Sequence, residues 1–418
     1  MGQTMAEAIL ANAAGAERVS PGDHVVCEID LAMTQDIHTP GVAHVLEKMG
    51  VSDLHDPSKV VVVLDHMAPS HTVENADEKA MIREFVRDHP DTHFYDVGTG
   101  ISHEVLPEKG HVRPGELVVG TDSHTVTHGA FGAAGTGIGD TDMAYALATG
   151  QGWFRVPETI EFDVDGSFDE LVSAKDLLLY IAGEFGTDVA RYKAIEFRGP
   201  AVTSLPLDDR LTLTNMSIEL GAMFGFTPVD ETVVEYIESR TDEPFESVAA
   251  SEDAEYETRY QIDVTDLEPQ VALPHDVQNV HPISEVDPVD IDQVFIGTCT
   301  NGKFEDLRAA AEIIDGHTVA EMTRLIVTPA SREIYSRAER EGLIRIFNEA
   351  GAVVTNATCG ACPGLGMGIL GEGERCLAAQ NRNFRGRMGH NDSEVYLSSP
   401  ETAAATAITG RITDPREV

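Results

Sequence analysis

Short apolar runs, separated by stretches of helical periodicity, recur along this chain. That alternation restricts it to α/β architectures with mainly parallel sheets. The runs are His24–Ile29, Val60–Leu64, Phe94–Val97, Leu117–Val119, Val294–Ile296, Leu325–Val327 and Ala352–Val354. Helical patterns occupy Gly41–Lys48, Asn75–Asp88, Thr141–Thr149, Phe304–Ile314, Arg332–Glu341 and Thr402–Ile408. A chain of 418 residues exceeds what one ordinary core supports. Val156-Pro157-Glu158 marks one boundary, and Pro269–Pro288, with four prolines, reads as a linker. Three α/β domains are expected: 1–158, which holds most of the histidines, 159–280, and 281–418, which holds most of the cysteines.

In parallel sheets, ligands bind beyond the carboxyl ends of the strands, so the residues following each run carry the functional information. Val60–Leu64 leads into Asp65-His66, Phe94–Val97 through glycines to His103, and Leu117–Val119 to Asp122-Ser123-His124. Val294–Ile296 leads to Gly297-Thr298-Cys299-Thr300-Asn301-Gly302, and Ala352–Val354 to Cys359-Gly360-Ala361-Cys362. Twelve of sixteen histidines lie at or before His128, while four of five cysteines follow residue 298. One end of the chain is suited to proton transfer and the other to metal.

Taken alone, each piece has a bland reading. An Asp-His pair after a strand serves as a cap or turn, and a Cys-x-x-Cys suits zinc, thioredoxin-like chemistry or iron–sulfur ligation. A structural zinc site wants four ligands. Here Cys299 stands sixty residues before the pair, giving three thiolates without an evident fourth, and soft thiolates suit iron–sulfur clusters. Cys27 and Cys376 sit in apolar stretches and read as core residues. The loop Gly129–Gly139 lacks the Gly-x-Gly-x-x-Gly spacing of a nucleotide cradle and reads as close backbone packing. Three arginines within Asn381–Arg387 suit an anionic substrate.

Charge narrows the partners. Seventy-one acidic against 29 basic residues give a formal net charge of -42, spread along the chain with a denser stretch at Thr241–Asp266, which reads as flexible surface. Such a surface repels phosphate backbones, which excludes nucleic acid, and tolerates its own repulsion best at molar salt. No apolar run reaches the length of a membrane span. The first residues lack a secretory pattern, so a cytoplasmic protein is expected.

Thr121–Thr125, Gly297–Gly302, Cys359-x-x-Cys362 and Asn381–Arg387, in this order, resemble the aconitase family, with pieces of likeness from Asp30–Asp36 to Ser399–Glu401. Within that family the chain length resembles the free-standing large subunits of isopropylmalate and homoaconitate dehydratases. The resemblance implies a three-domain aconitase-like core with its cluster at the domain interface. It implies a [4Fe–4S] cluster held by Cys299, Cys359 and Cys362, with one iron open to substrate. Asp65-His66 would protonate the leaving hydroxyl, and His103, Asp122, His124 and Glu219 would form supporting acid–base pairs. Gln35, Ser123 and Asn215 would touch the substrate, a small di- or tricarboxylate, and Arg382 and Arg387 would bind its carboxylates. Asn215 and Glu219, four apart, would share a helix face. No base for the carbon-bound proton is evident. By resemblance it resides on a separate small subunit carrying the swivelling domain. Pro363, after the second cysteine of the pair, departs from the usual small or aliphatic residue.

Overall fold

The computed structural model describes residues 2–418. The chain forms two compact units: residues 1–97, 102–164 and 190–262 make the first, and 98–101, 165–189 and 263–418 the second.

The first unit is built on a five-stranded, wholly parallel sheet. Its order is His93–Tyr95, Val60–Val63, Leu31–Gln35, Leu117–Gly120, Ala134–Gly137. Val60, Val61, Val62 and Val63 are all buried, because helices cover both faces of such a sheet and reward an unbroken apolar run. Burying each valine contributes about 1.5 kcal/mol or more. The central strand Leu31–Gln35 escaped the sequence reading: Thr34 and Gln35 interrupt its apolar character, yet every one of its residues is buried. His24–Glu28, expected as part of a parallel sheet, instead pairs antiparallel with Gln151–Arg155 in a two-stranded ribbon. A four-stranded sheet, ordered Phe224–Phe226, Ala194–Arg198, Thr159–Asp165, Thr258–Asp263, completes the unit. The acidic stretch expected to be flexible surface therefore supplies an edge strand, Thr258–Asp263, on which exposed polar residues alternate with more buried ones.

The second unit holds a seven-stranded sheet ordered Val280–Pro282, Gln270–Ala272, Glu394–Leu397, Arg375–Ala378, Gln293–Gly297, Arg324–Thr328, Val353–Val354. The last five strands run parallel, and the first two are added antiparallel at one edge. The expected linker Pro269–Pro288 thus holds two strands, the outer of which, Val280–Pro282, is the edge. Edge positions tolerate proline because its missing N–H need not join a ladder. Phe304–Ile314 forms a helix with the bounds read from its periodicity, capped by Asp306 accepting from the Lys303 backbone N–H at 2.9 Å. Its buried face joins Val294, Ile296, Leu325, Val327 and Phe347 in one core. No helix among the described residues is long and apolar enough to cross a membrane.

Candidate functional site

Three adjacent strands of the first unit deliver the acid–base residues at their carboxyl ends: Asp36 after Leu31–Gln35, Asp65 and His66 after Val60–Val63, and Asp122, Ser123 and His124 after Leu117–Gly120. Asp65 is fully buried, and its Oδ1 lies 2.7 Å from His66 Nδ1 while Oδ2 accepts the Ser102 backbone N–H at 2.8 Å. The ring is thereby oriented with Nε2 3.5 Å from Asp122 Oδ2. Asp122 Oδ1 also lies 2.9 Å from His103 Nε2 and accepts the His124 backbone N–H at 2.8 Å. Burial pushes the Asp122 carboxyl up, but hydrogen bonds from His103, His124 and His66 outweigh it and hold the group well below the usual carboxylate range. His124 Nε2 sits 3.1 Å from Glu219 Oε1. Three carboxylate–histidine pairs, Asp65–His66, Asp122–His103 and Glu219–His124, meet on this face.

The other expected residues fall as follows. Gln35 is buried, with Oε1 accepting from Ile37 N at 2.7 Å. Ser123 Oγ lies 3.4 Å from His124 Nδ1. Asn215 donates to Thr127 Oγ1 at 2.8 Å. Asn215 and Glu219 do not share one α-helix: the helix ends at Asn215, and Glu219 lies in the 3-10 turn Met216–Leu220. Both still reach the segment His124–Thr127, by side-chain bonds to different residues of it. The glycine-rich loop packs closely, as its composition suggested. A Cβ on Gly129 would stand 1.6 Å from Gly225 O, and one on Gly135 2.1 Å from Thr125 O.

Asp36, Lys79 and His128 went unnoticed in the sequence. Asp36, fully buried, accepts the backbone N–H groups of His66 and Met67 at 3.0 and 2.9 Å, and pairs with buried Lys79 at 3.0 Å. Lys79 also donates to Met67 O at 2.6 Å. His128 is fully buried 5.8 Å from the His103 ring, and neither of its ring nitrogens has a hydrogen-bond partner. Burial, reinforced by His103, holds its pKa well below the usual range, so the ring is neutral. The signal for Asp36 was its position after a strand, hidden because that strand itself was missed.

In the second unit, Cys299, Cys359 and Cys362 are buried at 6%, 8% and 5% exposure, and none forms a disulfide. Cys299 follows Gln293–Gly297 directly, on a turn where Thr298 takes φ +75° and its Oγ1 accepts from Thr300 N at 3.1 Å. A β-branched residue with positive φ is strained; the turn holds it there and aims Cys299 off the strand end. Asn381, three residues beyond Arg375–Ala378, joins two of the thiols. Its Nδ2 lies 3.8 Å from Cys299 Sγ, and its Oδ1 accepts from Cys362 Sγ at 3.5 Å. An Arg387 guanidinium nitrogen lies 3.4 Å from Cys362 Sγ. Arg382 is half-buried, its carbonyl accepting from Gln380 Nε2 at 2.7 Å. Cys27 and Cys376 are fully buried core residues, and burial pushes the Cys27 thiol up to about 11. Two thiols, an amide and a guanidinium nitrogen lie together here, with a third buried thiol, Cys359, in the same unit, and soft thiols of this kind suit a thiolate-ligated metal centre.

The model of the aconitase family (aconitate hydratase) matches residues 7–290 and 284–410. The 3-isopropylmalate dehydratase large subunit 1 of Methanopyrus kandleri is 53% identical over 416 residues, covering 100% of this chain and 99% of its own. Proteins named 3-isopropylmalate dehydratase large subunit from Moorella thermoacetica and Aquifex aeolicus are 49% and 47% identical, over 100% of this chain and 100% and 98% of theirs. The crystal structure of Thermococcus kodakaraensis aconitase X (holo-form) shares the fold, with a TM-score of 0.50 at 14% identity, covering 90% of this chain and 86% of its own.

Proposed function

The chain belongs to the aconitase family, and on that premise we propose that it is the large subunit of a two-subunit hydro-lyase that interconverts 2-isopropylmalate and 3-isopropylmalate in leucine biosynthesis. The observation that carries this reading is the meeting of three carboxylate–histidine pairs in a chain that also buries three thiols, two of them joined by Asn381. The two sets serve one reaction, the removal and return of water beside carboxylates.

The cofactor is a [4Fe–4S] cluster, and Cys299, Cys359 and Cys362 are its ligands. Their burial, their reduced state and the amide shared by two of them support this assignment. When bound, the cluster supplies a Lewis acid for the substrate hydroxyl.

His66 donates the proton that turns this hydroxyl into water. Asp65 fixes the tautomer by its bond to Nδ1, leaving Nε2 as the reactive nitrogen. Asp122, kept ionised by its histidine contacts, stabilises the positive charge shared with His66 and His103. Glu219 orients His124 in the same manner. Gln35, Ser123 and Asn215 position the substrate, while Arg382 and Arg387 bind its carboxylates and stabilise the negative charge that develops beside them.

A separate small subunit with the swivelling domain brings the base for the carbon-bound proton and excludes water. The division 1–158, 159–280 and 281–418 is part of the same proposal. Each segment holds all or most of one of the three main sheets. The surplus of acidic side chains is assigned to a cytosol at high salt.

The test is anaerobic reconstitution with iron and sulfide, with and without a co-expressed small subunit, followed by assays on isopropylmalate, citrate, homocitrate and citramalate. Turnover of isopropylmalate, dependent on the partner and lost together with the broad visible absorbance in Cys299→Ser, is expected. A colourless, zinc-containing protein, or preference for another acid, would refute the assignment.

A further inference from the structure

Four lysine and arginine side chains are buried among the described residues: Lys79, Lys175, Arg210 and Lys303. Three of them have a carboxylate close by. Lys79 pairs with Asp36 at 3.0 Å, Arg210 with Asp230 at 2.7 Å, and Lys303 with Asp306 at 3.1 Å. Lys175, at 0% exposure, has none within ion-pair distance. Its Nζ donates instead to two neutral oxygens, Gln380 O at 2.5 Å and Asn301 Oδ1 at 3.4 Å. Asp176, next in the chain, is committed elsewhere, accepting from Ser173 N, Ser173 Oγ and Gln270 N at 2.9, 3.1 and 2.8 Å. A fully buried ammonium held only by neutral oxygens is costly to fold.

Both partners of Lys175 belong to the segments that carry the thiol contacts. Asn301 lies two residues beyond Cys299 on the same turn, and Gln380 immediately precedes Asn381, whose amide touches Cys299 and Cys362. Cys362 is also among the groups whose negative charge favours the protonated form of Lys175. Burial and neighbouring Lys303 work against that charge and bring the ammonium down to about 7. With three thiolates as ligands, a cluster in its oxidised state carries net negative charge.

We infer that Lys175 is the buried counter-charge of the metal–thiolate centre at Cys299, Cys359 and Cys362, and that it sets the centre's reduction potential and retention while touching neither substrate nor iron. The inference rests on the iron–sulfur reading above. Lys175 is a positioning residue, acting through the cluster's electrostatics and through the two turns that it ties to the helix Ala174–Phe185. Removing a positive charge beside a cluster disfavours the added electron, so the potential must fall.

The experiment compares wild type, Lys175→Gln and Lys175→Arg as full chains reconstituted anaerobically with iron and sulfide. Iron and sulfide per chain, the potential by redox titration, and melting of the apo and loaded forms are measured. In Lys175→Gln the potential should fall, the loaded form should lose iron faster, and the melting gap between loaded and apo chains should narrow. Lys175→Arg should stay near wild type in potential. A wild type that binds no iron and sulfide overturns the proposed function itself. A wild type that binds them, with Lys175→Gln unchanged in potential and in melting gap, overturns only the role of Lys175. If neither variant folds, the ammonium belongs to the fold and the inference fails as well.

Discussion

Asp36 accepts the backbone N–H of His66 at 3.0 Å across thirty residues of sequence. The histidine assigned as proton donor is therefore held twice, by its ring through Asp65 and by its backbone through Asp36. Asp36→Ala should lower kcat and destabilise the chain together, because it also leaves the buried Lys79 charge unpaired. Losing one partner of a buried ion pair costs about 3–5 kcal/mol. Urea unfolding of Asp36→Ala, set beside the double variant Asp36→Ala/Lys79→Met, separates the two effects. A single variant as stable as wild type would mean that the pair carries no weight.

His66→Ala should reduce turnover by about a hundred- to ten-thousand-fold, the range of a positioned general acid, with iron content unchanged. Its ion-pair partners are the carboxylates Asp65, Asp36 and Asp122. Steady-state kinetics with parallel iron analysis reads both quantities. Loss of iron from this variant would reassign His66 to a structural task.

His128 makes stability depend on pH with a defined sign. Its folded pKa lies well below the unfolded value, so the unfolded chain binds the extra proton first. The stabilising contribution is full above the unfolded pKa of about 6.5 and is lost below it, by about 1.4 kcal/mol per pH unit, until the folded pKa is reached. His128→Gln should flatten the wild-type slope between about pH 6.5 and 5 by that amount. Equal slopes in chemical unfolding of the two proteins would show that the buried ring has access to a proton acceptor or to solvent.

Net charge of -42 predicts that melting temperature rises from low to molar potassium chloride, because screening shortens the Debye length to about 3 Å at 1 M. Differential scanning calorimetry across that range is the check. A protein equally stable at both ends would break the link between the acidic surface and salt.

How much of this was legible beforehand varies by residue. Fully buried parallel strands such as Val60–Val63 announced themselves, since both faces want apolar side chains. Helix Phe304–Ile314 was equally plain, because one of its faces is buried and the other is not. Leu31–Gln35 was not, since its polar end belongs to the site, and the short strands Gln270–Ala272 and Val280–Pro282 hid among prolines.

By itself, the sequence determined the α/β class, the covalent order of the chemistry-bearing strand ends and the three cysteines. These depend on local periodicity and on residue type, which the chain states directly. Only the tertiary structure decided that Asp36 and Lys79 brace His66. It also decided that Asn381 bridges Cys299 and Cys362, and that Lys175 is buried with no carboxylate within ion-pair distance. Those relationships join residues dozens of positions apart. They exist because parallel pairing brings the carboxyl ends of strands together, and the cost of a buried charge depends on neighbours that no local pattern names.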